Sequence, residues 1–164
     1  MNDELRTIQT EVYQECKWRI SDFKNEAESK EYDACRFLLN GMNIVCRSSK
    51  ITPKKVGQFV TFWKRNGNGP IEPLNDKDHI DFFVVNVRLD SNFGQFVFPK
   101  SVLVKKGVIS TDKKEGKRAF RVYPIWDNPT NKQAKRTQKW QLNYFYEINE
   151  SIDLEKVRKL YTQN

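Results

Sequence analysis

The fold of this chain depends on the stretch from Asp81 to Lys100, which reads DFFVVNVRLDSNFGQFVFPK. The run IDFFVVNVRL, which begins one residue earlier, is almost continuously apolar, as is typical of a central strand buried on both faces. FGQFVF follows after a short polar turn and predicts the neighbouring strand. Pro99 then favours the start of a short helix, which continues through KSVLVKK to Gly107.

An acid opens the first of these strands and a lysine closes the second, an order also found in metal-dependent nucleases of the PD-(D/E)xK type. Such enzymes hold Mg²⁺ with two carboxylates, and the metal and the lysine activate water and stabilise the pentavalent phosphate. With Asp81 and Lys100 in these roles, the second carboxylate position is Phe98, which cannot bind a metal. A second register uses Asn86 and Arg88, which share a strand face, but Asn86 is neutral.

Three explanations of this order remain open. Asp81 can simply begin a strand after an acidic loop while Lys100 caps a helix. The segment can also belong to a degenerate nuclease fold, or to an active nuclease in which Glu11 or Glu15 supplies the missing acid. Because one strand carboxylate holds Mg²⁺ poorly, an active site is the least favoured of the three. We therefore interpret the segment as the sheet of a nuclease-like core without a complete metal site.

The flanking sequence predicts more strands and an N-terminal helix. Apolar residues recur at three- and four-residue steps over residues 3–26, which predicts an amphipathic helix. CRFLLNGMNIVCRSSK predicts a β-hairpin whose turn is Asn40 and Gly41. Residues 57–65 (GQFVTFWKR) and 118–126 (RAFRVYPIW) predict two further strands, since both are rich in β-branched and aromatic side chains.

Two helices are predicted near the C-terminus. Thr130 and Gln133 have the spacing of a capping box after Pro129, which predicts a helix through about Ile148. A final helix is predicted to begin near Ser151. The element order predicts a single α+β domain over residues 1–164, with a mainly antiparallel, mixed central sheet flanked by N- and C-terminal helices.

Four long motifs carry a resemblance to a known family: KITPKKVGQFVTFWKRNGNGPIEP, GQFVFPK, GKRAFRVYPIWD and TQKWQLNYF. They closely resemble the MepB family of bacterial proteins, over roughly residues 30–148. The resemblance implies a small cytoplasmic protein, and some members of the family are encoded beside a multidrug efflux transporter and its repressor. It implies no enzymatic mechanism, because the family is not an established class of enzymes.

Nothing in the sequence marks export, membrane insertion or a metal site. The N-terminus, MNDELRTIQTEV, is acidic and amphipathic, and no segment has the roughly 20 apolar residues of a spanning helix. Cys16, Cys35 and Cys46 are widely and irregularly spaced, and His79 is the only histidine, which excludes the usual zinc patterns. We expect a cytoplasmic protein without a cofactor, a metal or catalytic residues.

Positive charge is concentrated in one half of the chain. The net charge is +8, yet residues 1–50 are about neutral, with eight Lys/Arg and nine Asp/Glu. Between Val97 and Lys139 there are twelve Lys/Arg and three acids. Clustered positive charge favours polyanionic partners. The predicted contact residues are Lys100, Lys105, Lys106, Lys113, Lys114, Lys117, Arg118, Arg121, Lys132, Lys135, Arg136, Lys139 and Trp140.

These residues predict a non-catalytic nucleic-acid-binding protein, with DNA favoured over RNA. Lys and Arg neutralise phosphates and release counterions, and rings such as Trp140 could stack on unpaired bases. A lysine-rich helix can equally be a solvated face, with Trp140 in the core. In the alternative function, the protein is a small-molecule- or protein-binding accessory of an efflux operon. Trp63, Phe82 and Tyr123 would then line a pocket for flat cations.

Overall fold

The computed structural model describes residues 1–162, which form eleven strands and four α-helices. The strands are β1 (Ile20–Asn25), β2 (Cys35–Leu39), β3 (Met42–Ser48), β4 (Lys50–Thr52), β5 (Lys55–Thr61), β6 (Trp63–Arg65), β7 (Ile71–Pro73), β8 (Phe82–Leu89), β9 (Asn92–Pro99), β10 (Ala119–Val122) and β11 (Phe145–Glu147). The helices are α1 (Asp3–Ile8), α2 (Lys100–Lys105), α3 (Lys132–Gln141) and α4 (Leu154–Leu160). No helix within residues 1–162 is long and apolar enough to cross a membrane.

A six-stranded mixed sheet, in the order β1-β2-β3-β8-β9-β11, organises the molecule. Only β3 and β8 are parallel in it, and every other neighbouring pair is antiparallel. One face packs against α1, the turn that follows it and α4. The other face packs against α2, α3 and a small sheet in the order β10-β5-β4. The predicted α+β class with a mixed central sheet is confirmed.

The β8–β9 pair is the centre of this sheet, as the apolar run predicts. Phe82, Phe83, Val84 and Val85 are fully buried, and they alternate between the two cores. The predicted hairpin of β2 and β3 is also present. Asn40 and Gly41 turn it with φ of 48° and 81°, the left-handed geometry that this turn requires.

The predicted N-terminal helix over residues 3–26 is wrong in its second half. α1 is followed by a π-helical turn, Gln9–Tyr13, and the chain leaves helical geometry at Lys17, where φ is 65°. Ile20 and Phe23 belong to β1, whose pairing with β2 is shifted by an irregularity between Ser21 and Lys24. Because of this bulge, Ile20 and Phe23 both contact the core although they are three positions apart. The same spacing is typical of one face of a helix.

The predicted helix from Thr130 to Ile148 is also too long. The cap is Asn131, whose side chain accepts a hydrogen bond from the Ala134 N–H at 2.8 Å, so the predicted capping box at Thr130 is wrong. After α3 the chain passes through a 3₁₀ turn, Leu142–Tyr144, into β11. Phe145 is buried as part of this strand, which pairs with β9.

The two other predicted strands are shorter or divided. Residues 57–65 split into β5 and β6 at Phe62, which is buried and stacks on Phe83 with ring centroids 4.1 Å apart. β6 pairs with β7, outside the other two sheets. Residues 118–126 shorten to β10, and the final helix begins at Leu154 after Asp153, which caps it.

A closed polar network lies between the large sheet and the helices. The side-chain oxygen of Gln95, a fully buried residue, accepts hydrogen bonds from the Tyr146 and Tyr161 hydroxyls at 2.8 and 2.7 Å. The Gln95 side-chain nitrogen donates to the Asn86 side-chain oxygen at 2.8 Å. Tyr13 and Tyr161 share a further bond of 2.7 Å between their hydroxyls. The network joins the N-terminal turn, α4 and the sheet.

We expect Gln95→Leu to lower the free energy of unfolding by at least about 3 kcal/mol, because it leaves several buried polar groups without partners. Urea unfolding measures this loss. The control is Gln14→Leu at an exposed position, where a change within about 0.5 kcal/mol is expected. Equal stability of the Gln95 variant and the parent protein would show that the network does not contribute.

Alkaline pH should destabilise the protein. Burial raises the pKa of Tyr13, Tyr146 and Tyr161 above the ordinary value. The native state therefore keeps these protons above pH ~10, where unfolded tyrosines lose them. The free energy of unfolding therefore keeps its full value below pH ~10. Above that pH it falls by about 1.4 kcal/mol per pH unit for each tyrosine. Urea midpoints measured across this range should show a shallower decline for Tyr161→Phe; an unchanged slope would contradict the assignment.

Candidate functional site

A cleft lies where α2, β10 and α3 meet, and it has a volume of about 300 Å³. Four of the predicted contact residues line it: Lys106 after α2, Lys117 and Arg121 at β10, and Trp140 on α3. None of its described lining residues is acidic. The other lining residues are Val108, Ala119, Phe120, Tyr123, Asn131, Gln133, Ala134, Thr137 and Gln141. Features separated in the sequence are therefore adjacent in space.

Trp140 forms a wall between this cleft and the core. It is half-buried, and its ring lies 5.6 Å from that of the buried Phe98. The Lys106 ammonium lies 5.2 Å from the centre of the Trp140 ring, within the range of cation–π attraction. Trp140 thus packs on the core and also borders the cleft.

Gln141 holds the free edge of β10 against α3. Its side-chain nitrogen donates to the Arg121 carbonyl and its oxygen accepts from the Tyr123 N–H, both at 2.9 Å. The Arg121 guanidinium donates to the Gly57 carbonyl at 3.2 Å and to the Thr52 hydroxyl at 2.7 Å. Sequence reasoning missed Gln141, because no local pattern distinguishes it from a solvated glutamine at a helix end.

The basic face of α3 is open to solvent. Lys132, Lys135, Arg136 and Lys139 are all exposed, while Ala134 on the other side of α3 is buried. Lys105 is exposed at the end of α2, and the loop before β10 exposes the remaining lysines. These loop residues are Lys113, Lys114 and Lys117. The cleft therefore opens within a wider basic surface.

Lys100 and Arg118, like Arg121, have side chains that are engaged with other partners. The Lys100 ammonium, which is half-buried, donates to the Asp78 carbonyl at 2.6 Å. Arg118 lies 3.1 Å from the Glu115 carboxylate and donates to the Ile71 carbonyl at 3.3 Å. Both side chains stabilise loops, so neither adds a free cation to the cleft.

The two nuclease-like registers lie on opposite faces of the sheet. Phe98 is fully buried in the core beneath α3. Asn86 is buried on the other face, where it bonds to Gln95. The exposed Arg88 lies on the same side as Asn86, 3.5 Å from the Glu4 carboxylate of α1. Because helices and buried tyrosines cover the Asn86 face, a phosphodiester cannot reach that residue in this conformation.

The carboxylate of Asp81 has a structural partner. It accepts a hydrogen bond from the Asn43 N–H at 2.7 Å, and the Asp81 carbonyl accepts from the Lys100 N–H at 3.0 Å. Glu11 and Glu15 are exposed. Within residues 1–162, no group of three or more His, Cys, Asp or Glu side chains is placed to hold a metal ion. These bonds order the start of β3 and of β8.

A second charged cluster was missed by the sequence reasoning. Arg47 is 1% exposed, and its guanidinium lies 2.6 Å from the Glu26 carboxylate, which also pairs with Arg36 at 2.7 Å. Burial lowers the pKa of Arg47, and Glu26 opposes that shift. A smaller cleft of about 240 Å³ borders this cluster. An inward-facing arginine on a central strand gives no local sequence signal of its partner.

The aromatic residues of the alternative function do not share a pocket. Phe82 is fully buried on the helix-covered face of the sheet. Tyr123 borders the cleft at α3, whereas Trp63 borders the smaller cleft beside Arg47. The predicted pocket for flat cations is therefore not formed by these three side chains.

The fold is shared with a family of known proteins. A family model described as MepB-like matches residues 26–147, so this chain belongs to the MepB-like family. The chain is also similar to a solved crystal structure, that of MepB, with 34% sequence identity and a TM-score of 0.79. That match covers 92% of this chain and 100% of the other. No curated protein matches the chain. The family resemblance in the sequence motifs is confirmed.

We expect Asp81→Ala to lower the free energy of unfolding by about 1 kcal/mol, because the Asn43 N–H loses its acceptor. The loss should be the same with and without Mg²⁺ in thermal unfolding. Asp112→Ala, at an exposed position, is the matched control and should change stability by less than about 0.5 kcal/mol. A Mg²⁺-dependent rise in melting temperature that disappears in Asp81→Ala would instead show a metal site.

Proposed function

We propose that this protein is a non-catalytic, cytoplasmic nucleic-acid-binding protein, with DNA favoured over RNA. The proposal is supported by one observation above all: Lys106 and Lys117, which are distant in the sequence, line one cleft without an acidic lining residue, and α3 with its exposed cations forms another wall of that cleft. Charge that converges in space produces a stronger local potential than the same charge spread over the surface.

The exposed face of α3 is the proposed contact surface for the phosphate backbone. Its four cations are Lys132, Lys135, Arg136 and Lys139, and each is exposed. Phosphates neutralised by Lys and Arg release their counterions, so binding is favourable at low salt and weakens steeply as salt rises. Lys105 and the exposed loop lysines extend this contact surface beyond the helix. Contacts of this kind bind nucleic acid without reading its sequence.

We propose a non-catalytic protein because of where the residues of the two nuclease-like registers lie. The buried Phe98 and Asn86 replace the required carboxylate in the two registers, and they lie on opposite faces of the sheet. Asp81 and Lys100 each bond to a backbone group. A two-carboxylate Mg²⁺ site with an adjacent lysine would need these groups to face one solvent-accessible point. The cytoplasmic location is supported by Cys16, Cys35 and Cys46, which are all free and buried.

The test is a fluorescence-anisotropy titration of the parent protein and a quadruple variant with a short labelled DNA duplex at several salt concentrations. The variant is K132Q/K135Q/R136Q/K139Q. We expect its affinity at low salt to fall by at least about tenfold, and the slope of log K against log[salt] to decrease by roughly 3 to 4. Gel analysis of the DNA with Mg²⁺ should show no cleavage.

The matched control removes the same charge from exposed positions remote from α3, on β1 and the adjoining turns. It is K17Q/R19Q/K24Q/K30Q. We expect this control to lose less than about threefold in affinity, since a general change of net charge is screened at ordinary salt. Equal losses in both variants, or full affinity in the α3 variant, would refute the assigned surface.

A further inference from the structure

The cleft contains an unused part of a strand edge. β10 is an outer strand of the small sheet and pairs only with β5. The Phe62 N–H donates to the Arg118 carbonyl at 2.7 Å, so the even-numbered residues of this segment direct their backbone groups towards β5. The backbone N–H and carbonyl groups of the odd-numbered residues therefore point towards α3 and the cleft. These residues are Ala119, Arg121 and Tyr123.

Gln141 imitates a neighbouring strand at one position of this edge. Its primary amide donates to the Arg121 carbonyl and accepts from the Tyr123 N–H, as the N–H and the carbonyl of one residue in an added parallel strand would. The preceding donor–acceptor pair, the Arg121 N–H and the Ala119 carbonyl, has the same geometry. Both residues line the cleft. The cleft thus presents one donor beside one acceptor, fixed by the backbone.

We infer that this backbone pair binds the edge of an unpaired nucleobase, so that the cleft is a site for single-stranded nucleic acid. Each nucleobase carries an N–H group beside an acceptor on its pairing edge, which complements an N–H and a carbonyl of a strand. In a duplex that edge is already bonded to the partner base, so only an unpaired base can enter. The inference rests on the proposed nucleic-acid binding and assigns its base contact.

The walls of the cleft favour a nucleotide over an extended peptide, which could also pair with a strand edge. Lys106 and Lys117 border the cleft and supply charge for the flanking phosphates. Trp140 adds an aromatic wall, and aromatic rings stabilise unpaired bases in single-strand-binding proteins. A volume of about 300 Å³ lies at the lower end of the range for small-ligand sites, which suits one base rather than several residues.

The experiment compares two labelled single strands of about twelve nucleotides, a length within the range bound by one single-strand-binding domain. One is oligothymidylate, and the other carries N3-methylthymine at every position, which removes the N–H of the pairing edge but leaves every phosphate. We expect the methylated strand to bind about tenfold more weakly, as for loss of a two-bond base contact. The salt slope should be the same for both, since their phosphates are the same.

Backbone ¹⁵N–¹H NMR spectra of the parent protein locate the contact. We expect the Arg121 amide resonance to shift with oligothymidylate and to remain in place with the methylated strand. Equal affinities and an unmoved Arg121 resonance would overturn the base site, while salt-dependent binding of both strands would leave the proposed function intact. A shift of Arg121 with an uncharged peptide of alternating Val and Thr, but not with oligothymidylate, would also overturn it. If neither strand nor duplex binds, both proposals fail.

Discussion

The burial of β8 and β9 on both faces is the constraint on which the remaining structure depends. Two adjacent strands carry large apolar side chains above and below the sheet, so water must be excluded from both sides. The N- and C-terminal helices cover one face, and the small sheet with α2 and α3 covers the other. Two separate cores result. This requirement draws segments far apart in the sequence onto the same sheet, and α3 with its basic face is among them.

The buried polar network shows how the same constraint affects the nuclease-like residues. Gln95 and Asn86 occupy inward positions on β9 and β8, where a metal site would need open carboxylates. They bond instead to each other and to tyrosines of the covering elements. A fully satisfied network of neutral groups is compatible with a closed core, whereas buried carboxylates would need a cation or a proton. The inward polar residues of β8 and β9 therefore serve packing on this face.

The cleft arises from elements that no local pattern connects. Lys106, Arg121 and Trp140 come from three segments, and they meet because β10 pairs with β5 while Gln141 fastens α3 to the free edge of β10. Lys100 and Arg118 have the same charge and lie in the same stretch of sequence, yet they bond to nearby loops. A cluster of basic residues in a sequence thus predicts the sign of a surface, while packing selects which cations belong to it.

The amino-acid sequence by itself determined the α+β class, the buried β8–β9 pair, the hairpin at Asn40 and Gly41, the family and the concentration of positive charge in residues 97–139. These follow from local periodicity, turn chemistry and composition, which act over a few neighbouring residues. Only the tertiary structure decided that Ile20 and Phe23 form a strand, that Phe145 leaves the helix for β11, and that Lys106, Lys117 and Trp140 share one cleft. The physical reason is that strand pairing and side-chain partners are non-local. An edge hydrogen bond or a buried amide gains its stability from residues distant in the chain, and it can override the local preference.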